Sequence, residues 1–507
     1  MSAVSKLKSE SSSRISPGPS DTSFISPSVS VDRNTEGYFK DKTKYIPPWT
    51  EPYIIGIAGN SGSGKTSISQ QIIRELNQPW TVLLSFDNFY RPLTKEQSAK
   101  AFANEWDFDT PDSLDLDALY DTVKKLKQGE KARIPVYSFE LHGRTDKVTT
   151  IYGANVIIIE GLYALYDKRL LDLMDIKIYV DTDLDICLAR RLTRDILYRG
   201  RDLQGAMKQW ETFVKPNAVR YLNPTMNNAD LVIPRGLDNV VAIDLMIGHI
   251  KKQLGLKSLA HIRHLKALGQ DIEFDIHRYP NLKVLPINNQ TMGINSILFN
   301  KNTLMSDFIF YFDRMATLII EAALDQLTNY QSVDIQTDPN FPPFKGLQQR
   351  DNLIAVTVIR SGDCFVTSLK RTFLEIPIGK LLIQSDSLTG EPQLHQERLP
   401  RGIDNLKNKK ILLFDAQIIS GAAAIMAIQV LIDHKIGETD IIFCSYLSTE
   451  IGLRRILRVF PRVKIVVGKL SSLGDTSKFP KYNPEQFIDS NWHFKNRFID
   501  SLYFGAK

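Results

Sequence analysis

The sequence that decides the fold is Gly59-Asn60-Ser61-Gly62-Ser63-Gly64-Lys65-Thr66, which fits the pattern G-x-x-x-x-G-K-[ST]. An apolar run at 53–58 precedes it and predicts a buried strand, and a helical pattern follows it at 67–76. Glycines let backbone N–H groups close around phosphate oxygens, where side chains would obstruct them. We therefore expect a P-loop in which Lys65 reaches the β and γ phosphates of ATP and Thr66 coordinates Mg²⁺, with GTP left open as a second donor.

Apolar runs alternate with helical patterns on both sides of a polar middle region. The runs lie at 81–86, 156–159, 353–359, 411–414 and 441–446. A long helical pattern occupies 306–327, and the mixed polar stretch at 255–290 indicates a connector. Alternation of strand and helix predicts parallel sheets covered on both faces. The predicted fold class is α/β, with a P-loop NTPase-type parallel-sheet domain followed by a second α/β domain.

Composition suggests where these domains begin and end. Residues 1–45 are rich in Ser and Pro and nearly lack apolar periodicity, so we expect a disordered tail. The P-loop domain is predicted at 46–254 and a connector at 255–281. The second α/β domain is predicted at 282–507.

The bulk composition limits the class of protein. With 507 residues, a hydrophobic fraction of 43% and a charged fraction of 24%, the chain is long enough for two globular domains. The net charge of +6 is spread along the chain, so a nucleic-acid partner is not expected. No apolar run approaches the roughly 20 residues that span a bilayer, so no membrane partner is expected. Cys187, Cys364 and Cys444 are too far apart for a zinc site or a disulfide framework, which favours a cytoplasmic location, with nuclear access left open.

Two of the predicted strands end in carboxylates, at the edge where open α/β folds bind ligands. Asp87 follows the run at 81–86 and is the candidate general base, which accepts the proton of an attacking alcohol. The alternative for Asp87 is a turn or helix-capping aspartate. Glu160 ends the run at 156–159 and is suited to hold Mg²⁺ directly or through water.

Several short motifs occur in order between residues 53 and 254. They are Asp87-Asn88-Phe89-Tyr90-Arg91, Phe108-Asp109-Thr110-Pro111-Asp112, Ile134-Pro135-Val136-Tyr137-Ser138-Phe139, Glu160-Gly161-Leu162-Tyr163-Ala164, Arg191-Leu192-Thr193-Arg194-Asp195, Arg199-Gly200-Arg201-Asp202, Phe213-Val214-Lys215-Pro216 and Pro234-Arg235-Gly236. With these motifs the segment resembles the uridine-cytidine kinase family. The resemblance implies ATP-dependent phosphorylation of uridine and cytidine at the 5′-hydroxyl, giving UMP and CMP in pyrimidine salvage. It also implies a homo-oligomer, because related kinases assemble as tetramers.

The resemblance assigns residues to the nucleoside. Asp109 would accept hydrogen bonds from the ribose 2′ and 3′ hydroxyls, so a deoxyribose would leave part of that carboxylate unpaired. The pyrimidine pocket would combine rings and polar edges from Phe108, Tyr137, Phe139 and His142. For His142 alone, the alternative is a satisfied surface histidine. Gln209 also matches a family position near the nucleoside.

Four arginines lie on a predicted helix and the turn that ends it: Arg191, Arg194, Arg199 and Arg201. Guanidinium forks suit phosphoryl oxygens and the charge that spreads over them during transfer. The resemblance implies that Arg194 is catalytic and that Arg199 binds ATP. It also implies that Arg191 and Arg201 face the substrate. One alternative is a solvated basic helix face; another is that Arg194 pairs with Asp195, and Arg199 could likewise pair with Asp202.

The second domain carries motifs of another kind. They are Ser306-Asp307-Phe308-Ile309-Phe310-Tyr311, Ile359-Arg360-Ser361-Gly362, Ile378-Gly379-Lys380-Leu381-Leu382-Ile383-Gln384 and Tyr503-Phe504-Gly505. The region resembles uracil phosphoribosyltransferase, so the whole chain resembles fungal uridine kinases in which a kinase precedes such a domain.

The resemblance to a phosphoribosyltransferase fails at its active-site signatures. Ala422 replaces a glycine-like position, Ala423 removes a hydroxyl, and Ser385 stands where the family has an arginine. The uracil loop is replaced by Ser490-Asn491-Trp492-His493-Phe494, while Arg360, Asp415 and Asp500 remain. We therefore expect a catalytically degenerate domain with a structural or ligand-sensing role.

Three other functions fit parts of the sequence. A phosphoribulokinase-like or pantothenate-kinase-like enzyme would share the P-loop, which does not identify the phosphoryl acceptor. A regulatory protein that only senses nucleotides is disfavoured by the complete set Lys65, Thr66, Asp87 and Glu160. A bifunctional enzyme would also make UMP from uracil and phosphoribosyl pyrophosphate. The residues Ala422, Ala423 and Ser385 argue against this function.

Overall fold

The fold is that of a computed structural model, which describes residues 44–78, 80–130, 132–151, 153–199, 202–268, 275–339, 341–385, 391–400, 403, 408–471 and 498–505. The predicted tail at 1–45 lies almost wholly outside the described residues, as do Arg201 and the predicted loop at 490–494. The backbone of Arg199 is described but its side chain is not. Within the described ranges, no helix is both long enough and apolar enough to cross a bilayer.

The P-loop follows the central strand of a five-stranded sheet in which every pair is parallel. The strand order is β2-β5-β1-β6-β7, so β5 lies between β1 and β2 although the chain visits it later. Strands β1 and β5 are buried along their whole length, as expected for strands covered on both faces. Strands β3 and β4 form a separate antiparallel hairpin. The strands are β1 (Tyr53–Gly59), β2 (Thr81–Ser85), β3 (Ala132–Ser138), β4 (Gly143–Ile151), β5 (Val156–Glu160), β6 (Ile176–Asp181) and β7 (Leu231–Pro234).

Helices cover both faces of this sheet. The helices are α1 (Lys65–Leu76), α2 (Lys95–Phe102), α3 (Leu116–Lys127), α4 (Lys168–Leu171), α5 (Leu184–Arg199), α6 (Leu203–Gln209), α7 (Lys215–Asn217) and α8 (Val240–Ala267). On one face, Ile72 of α1 and Ile247 of α8 join one core cluster. On the other, Leu119 and Val123 of α3 pack with Ile157 of β5. The expected layering of an α/β domain is therefore present.

Helix α8 occupies the first part of the predicted connector at 255–281. It runs unbroken from Val240 to Ala267, so that part of the connector is helical. Gly255 lies within this helix. A Cβ at Gly255 would meet nothing within 4 Å, so this glycine lies on an open side of the helix, where only its backbone entropy opposes helix formation.

The second domain is built on a larger, mostly parallel sheet. The strand order is β13-β12-β11-β14-β16-β17-β8, and β15 pairs with β16. Strands β12 and β13 are antiparallel, and β9 and β10 form a separate hairpin. The strands are β8 (Leu282–Val284), β9 (Tyr330–Ile335), β10 (Phe344–Gln349), β11 (Asn352–Ile359), β12 (Ile378–Ser385), β13 (Pro392–Arg398), β14 (Lys409–Phe414), β15 (Gln417–Ile418), β16 (Ile441–Thr449) and β17 (Lys464–Ser471).

Two helical layers cover the second sheet. The helices are α9 (Asn289–Leu298), α10 (Met305–Leu324), α11 (Val366–Thr372), α12 (Ala422–Asp433), α13 (Glu450–Val459) and α14 (Phe498–Phe504). Phe312 of α10 and Phe498 of α14 belong to the core on one face. Ile428 of α12 and Ile456 of α13 belong to the core on the other. This is the second α/β unit that the sequence predicted.

Residues 44–50, which we call the N-terminal strap, pack on the second domain although they precede β1. Tyr45 and Trp49 are 5% and 3% exposed and join the second domain's core together with Leu265 from the end of α8. The Trp49 Nε1 donates a hydrogen bond to Asp433 Oδ2 over 3.2 Å. The Tyr45 hydroxyl is hydrogen-bonded to His261 Nε2 at 2.9 Å. The strap and the end of α8 therefore tie the two domains together.

Candidate active site

A cavity of about 310 Å³ opens at the carboxyl ends of β1, β2 and β5. Parallel strands bring their carboxyl ends to one edge of a sheet, so the P-loop, Asp87 and Glu160 meet there. The predicted site residues that line the cavity are Ser61, Gly62, Gly64, Lys65, Thr66, Asp87, Phe108, Asp109, Tyr137, Phe139, His142, Glu160, Arg191, Arg194 and Gln209. The proposed phosphate side and the proposed nucleoside side thus share one cavity.

The P-loop backbone requires glycine at two positions. Gly62 and Gly64 have φ values of +89° and +99°, in the left-handed region. A Cβ on Gly62 would lie 2.4 Å from the carbonyl oxygen of Cys187, so a side chain there would collide with α5. The predicted loop residues Gly59, Asn60 and Ser63 lie behind the cavity wall, and all three are buried.

Lys65 is the first residue of α1 and lies over the loop. Its Nζ donates a hydrogen bond to the Asn60 carbonyl oxygen over 2.8 Å. Burial lowers the pKa of Lys65, although the negative charges of Glu160 and Asp87 oppose this shift. The ammonium group is therefore held inside the loop, where the motif places the phosphate oxygens.

Thr66 and Glu160 could hold a hard cation between α1 and β5. The Thr66 hydroxyl donates a hydrogen bond to Glu160 Oε2 over 2.9 Å. Glu160 is 7% exposed, and burial raises the pKa of its carboxyl, with Lys65 opposing the shift. A hydroxyl and a carboxylate are the oxygen ligands that Mg²⁺ takes in addition to phosphates and water. The residues present therefore fit the predicted metal role.

Asp87 lies in the 3₁₀ turn Phe86–Phe89, which directly follows β2. Its backbone N–H donates a hydrogen bond to Ser85 Oγ over 3.4 Å. The side chain of Asp87 lines the cavity beside Lys65 and Glu160. Asp87 thus takes part in a turn and also lines the cavity.

Asp109 is fixed before any nucleoside binds. Arg191 Nη1 donates a hydrogen bond to Asp109 Oδ1 over 3.3 Å, and the two side chains are 9% and 14% exposed. The Tyr163 hydroxyl donates to the carbonyl oxygen of Asp109. Asn217 donates to the neighbouring Asp107 carboxylate over 2.8 Å. A carboxylate held in this way is pre-oriented toward a ligand in the cavity.

An aromatic wall closes the nucleoside side of the cavity. Phe108 and His142 are stacked, with ring centroids 5.3 Å apart and an interplanar angle of 20°. Tyr90 contacts Phe108 and Tyr137 at centroid distances of 5.8 and 5.1 Å. Phe139 meets Tyr137 edge to face at 5.4 Å. His142 thus packs against the other rings of this wall.

Helix α5 supplies the arginine face. Arg194 Nε donates a hydrogen bond to Asp195 Oδ1 over 2.9 Å, which is the pairing that the sequence left as an alternative. Arg194 and Arg191 nevertheless both line the cavity. The side chain of Arg199 and the whole of Arg201 lie outside the described residues, so their predicted contacts stay predictions.

Several lining residues were missed by the sequence reasoning. They are Ser67, Ser85, Tyr90, Trp106, Gly161, Leu162, Arg190 and Phe213. Tyr90 and Phe213 lie inside motifs that were singled out, and Trp106 stands two residues before Phe108. Proximity to those motifs was the available signal. Gln209, which was predicted, also lines the cavity, and its Nε2 donates to Asn104 Oδ1 over 3.1 Å.

The predicted site of the second domain contains a left-handed glycine before a helix, together with polar side chains that contact one another. Ala422 begins α12 directly after Gly421, whose φ is +78°. Arg360 Nε lies 3.8 Å from Asp500 Oδ2, and the Ser361 hydroxyl donates to the buried Asp415. The charged residues of this site thus contact groups of their own domain.

Comparison with known proteins gives the same division of the chain. Residues 54–242 match the Phosphoribulokinase / Uridine kinase family. Residues 285–478 match Uracil phosphoribosyltransferase. The two matches correspond to the two sheets described above.

Three relatives are similar over nearly the whole chain. The uridine kinase of Saccharomyces cerevisiae is 52% identical over 470 residues, covering 92% of this chain and 91% of the relative. The uridine kinase of Schizosaccharomyces pombe is 40% identical over 440 residues, covering 87% of this chain and 96% of the relative. Uridine-cytidine kinase-like 1 of Mus musculus is 42% identical over 429 residues, covering 83% of this chain and 77% of the relative. The order of the two domains is therefore shared with these relatives.

Proposed function

Because this chain belongs to the phosphoribulokinase / uridine kinase family, we propose that it transfers the γ-phosphoryl group of ATP to the 5′-hydroxyl of uridine and cytidine, giving UMP and CMP. The observation that carries this proposal is the single cavity in which the P-loop, Asp87 and Asp109 meet. Lys65 identifies the phosphate end of the cavity, and Asp109 the ribose end.

Asp87 lines the same cavity as Lys65 and Asp109, and its proposed role is that of general base. As the 5′-oxygen attacks the γ-phosphorus, Asp87 accepts the hydroxyl proton, the bond from the γ-phosphorus to the bridging oxygen breaks, and ADP leaves. Lys65 and Arg194 would face the charge that spreads over the phosphoryl oxygens. Both residues line the cavity, and Lys65 is held within the loop by the Asn60 carbonyl.

Thr66 and Glu160 would hold Mg²⁺, which neutralises phosphate charge when it is bound. Their hydrogen bond keeps the two oxygens 2.9 Å apart, and both residues line the cavity. The P-loop indicates a nucleoside triphosphate as the donor, but it contacts the phosphates and does not distinguish one base from another. ATP is the proposed donor, and GTP is a second candidate.

The aromatic wall and Asp109 explain the proposed choice of acceptor. Phe108 and Phe139 would cover a pyrimidine with their rings, while Tyr137 and His142 would read its edge; all four residues line the cavity. Asp109 accepts hydrogen bonds from vicinal ribose hydroxyls, which a deoxyribose supplies only in part. The pocket thus favours pyrimidine ribonucleosides.

The second domain is proposed to be inactive as a phosphoribosyltransferase. Ala422 and Ala423 offer no hydroxyl to a phosphate, and Ser385 offers no charge to a pyrophosphate. We assign the domain a structural or ligand-sensing role. The strap contacts support this role, since they tie it to the kinase domain. A cytoplasmic homo-oligomer remains the expectation for the whole protein.

The test is a panel of nucleosides incubated with the full chain, Mg²⁺ and ATP, with nucleotide products separated directly. We expect UMP from uridine and CMP from cytidine, with little product from adenosine or thymidine. Formation of no UMP would overturn the proposal. Rapid phosphorylation of thymidine would overturn the role given to Asp109.

A further inference from the structure

Helix α5 carries a buried carboxylate that neither the P-loop nor the nucleoside pocket accounts for. Asp195 has a side chain that is 1% exposed. It does not line the cavity, whereas Asp109, Arg191 and Arg194 do. A buried carboxylate is costly unless charged partners compensate for the lost water. Its partners therefore indicate why it is there.

Asp195 lies between two arginines of the cavity. Residues three and four positions apart share one face of a helix, so Asp195 is a neighbour of Arg191. Arg191 Nε is 3.5 Å from Asp195 Oδ2. Arg194 Nε and Nη2 both approach Asp195 Oδ1, each at 2.9 Å. One carboxylate thus holds two guanidinium groups that would otherwise repel each other.

The ion pairs form a chain that continues to the ribose end of the cavity. Arg191 Nη1 also donates to Asp109 Oδ1 over 3.3 Å. The order is Asp109, Arg191, Asp195, Arg194, with the charge alternating at each step. A ribose that binds Asp109 therefore contacts one end of this series of ion pairs, and Arg194 lines the cavity at the other end.

We propose that Asp195 is a positioning residue that holds Arg191 and Arg194 in their working orientation and so links ribose binding at Asp109 to phosphoryl transfer at Arg194. This inference rests on the proposed kinase function. Arginine side chains have many rotamers, and a fixed partner removes that freedom before the substrate arrives. Asp195 acts through the arginines, since it contacts both of them and does not itself line the cavity.

The test is steady-state kinetics of Asp195→Asn in the full chain, with uridine and ATP. The amide keeps the volume of the carboxylate but removes the charge that gathers the arginines. We expect kcat to fall by about 10–100-fold, the scale on which outer-shell partners affect activity. The KM for ATP should change by under about threefold, because the P-loop is intact, whereas the KM for uridine should rise, because Arg191 is held less firmly against Asp109.

The control is Asp185→Asn, which changes an exposed aspartate in the first turn of the same helix. It should leave kcat unchanged. A double-mutant cycle distinguishes positioning from a purely structural role. If Asp195 acts through Arg194, Asp195→Asn should cost little more in an Arg194→Ala background, so the two losses should not multiply.

Wild-type kcat in Asp195→Asn would overturn the inference, and so would losses that multiply in the double variant. If Asp195→Asn does not fold, Asp195→Glu serves the same cycle, since it keeps the charge but displaces it by one methylene. We then expect a smaller loss in kcat, which disappears when Arg194 is alanine; a loss that persists would overturn the inference. Failure of the kinase function itself would show differently, as an unsubstituted protein that forms no UMP.

Discussion

The two domains place a glycine and a helix after a strand in the same way, but they surround it with different side chains. In the first domain, Gly64 has φ +99° and precedes α1, and in the second, Gly421 has φ +78° and precedes α12. The glycine before each helix makes no side-chain cap, and the first N–H of α12 donates to Ser420 Oγ over 3.4 Å. The backbone geometry that suits phosphate is thus present twice.

The difference lies in the side chains that come after each glycine. Helix α1 begins with Lys65 and Thr66, opposite the carboxylate of Glu160. Helix α12 begins with Ala422 and Ala423, and the loop before it is held by Arg455, whose Nη1 donates to the Ser420 carbonyl oxygen over 3.0 Å. A shared fold therefore does not carry a shared activity, because the chemistry depends on the side chains placed on it.

The largest expected effect is the loss of kinase activity when the proposed general base of the first domain is changed. Asp87→Asn should lower kcat for uridine by about 10²–10⁴-fold, because removal of a general base typically costs that much. ATP binding should persist, since the P-loop is unchanged. Rapid-quench measurement of UMP formation, together with ATP titration, checks both parts. Normal turnover in this variant would show that another group accepts the proton.

The next largest effect is on stability, and it tests whether the N-terminal strap stabilises the core of the second domain. Trp49→Ala should destabilise the second domain by about 3–5 kcal/mol, the usual cost of truncating a buried tryptophan. Hydrogen–deuterium exchange should show faster exchange in β14 and β16 and no change in β1 and β5. Ile46→Ala is the matched control, since Ile46 is 46% exposed in the same segment. Equal exchange in the two variants would contradict the role given to Trp49.

A smaller effect concerns ribose recognition. Asp109→Asn should lower kcat/KM for uridine by about 10–100-fold, since a charged hydrogen bond is worth about 1.5–3 kcal/mol. The loss in kcat/KM for 2′-deoxyuridine should be smaller, so the ratio of kcat/KM for uridine to that for 2′-deoxyuridine should fall. Asp112→Asn, at an exposed position in the same segment, is the control. Equal losses for both nucleosides would argue against contact with the 2′-hydroxyl.

The smallest effect is on stability and depends on pH. Burial raises the pKa of Glu160, so near neutral pH its charged form opposes folding. Glu160→Gln should therefore raise the Tm of the metal-free protein near neutral pH by roughly 2–4 °C, the shift expected for about 1 kcal/mol. As the pH falls through the raised pKa, the glutamate takes up its proton and the difference should vanish.

Thermal unfolding at several pH values measures this effect. Glu75→Gln is the control, because its side chain is 54% exposed on α1. An unchanged or lower Tm for Glu160→Gln at neutral pH would mean that the hydrogen bond from Thr66 outweighs the cost of burial.

The sequence predicted the parts of the fold in which local and tertiary signals agree. Strand β1, helix α1 and strand β5 were placed within one or two residues, because buried strands and the glycine loop leave strong patterns. Helix α8 was not predicted, because the mixed polar sequence at 255–281 indicated only a connector, and the open side of the helix accommodates Gly255. The strap could not be predicted, because Tyr45 contacts His261, 216 residues away, and no local pattern reports such a contact.

Local sequence patterns predicted the candidate active site only in part, for the same reason. Lys65, Asp87 and Glu160 could be placed in one cavity from their positions at strand ends alone. Trp106 could not, because it reaches the cavity wall through an irregular loop. The pairing of Arg194 with Asp195 was only one of several alternatives, since spacing on a helix permits an ion pair without requiring it.

The central claim is that one of the two phosphate-type loops supports catalysis and the other does not. It is tested most directly by two assays on one preparation of the full chain: UMP formation from uridine with ATP and Mg²⁺, and UMP formation from uracil with phosphoribosyl pyrophosphate and Mg²⁺. We predict UMP in the first assay only. UMP from uracil, or none from uridine, would contradict the account.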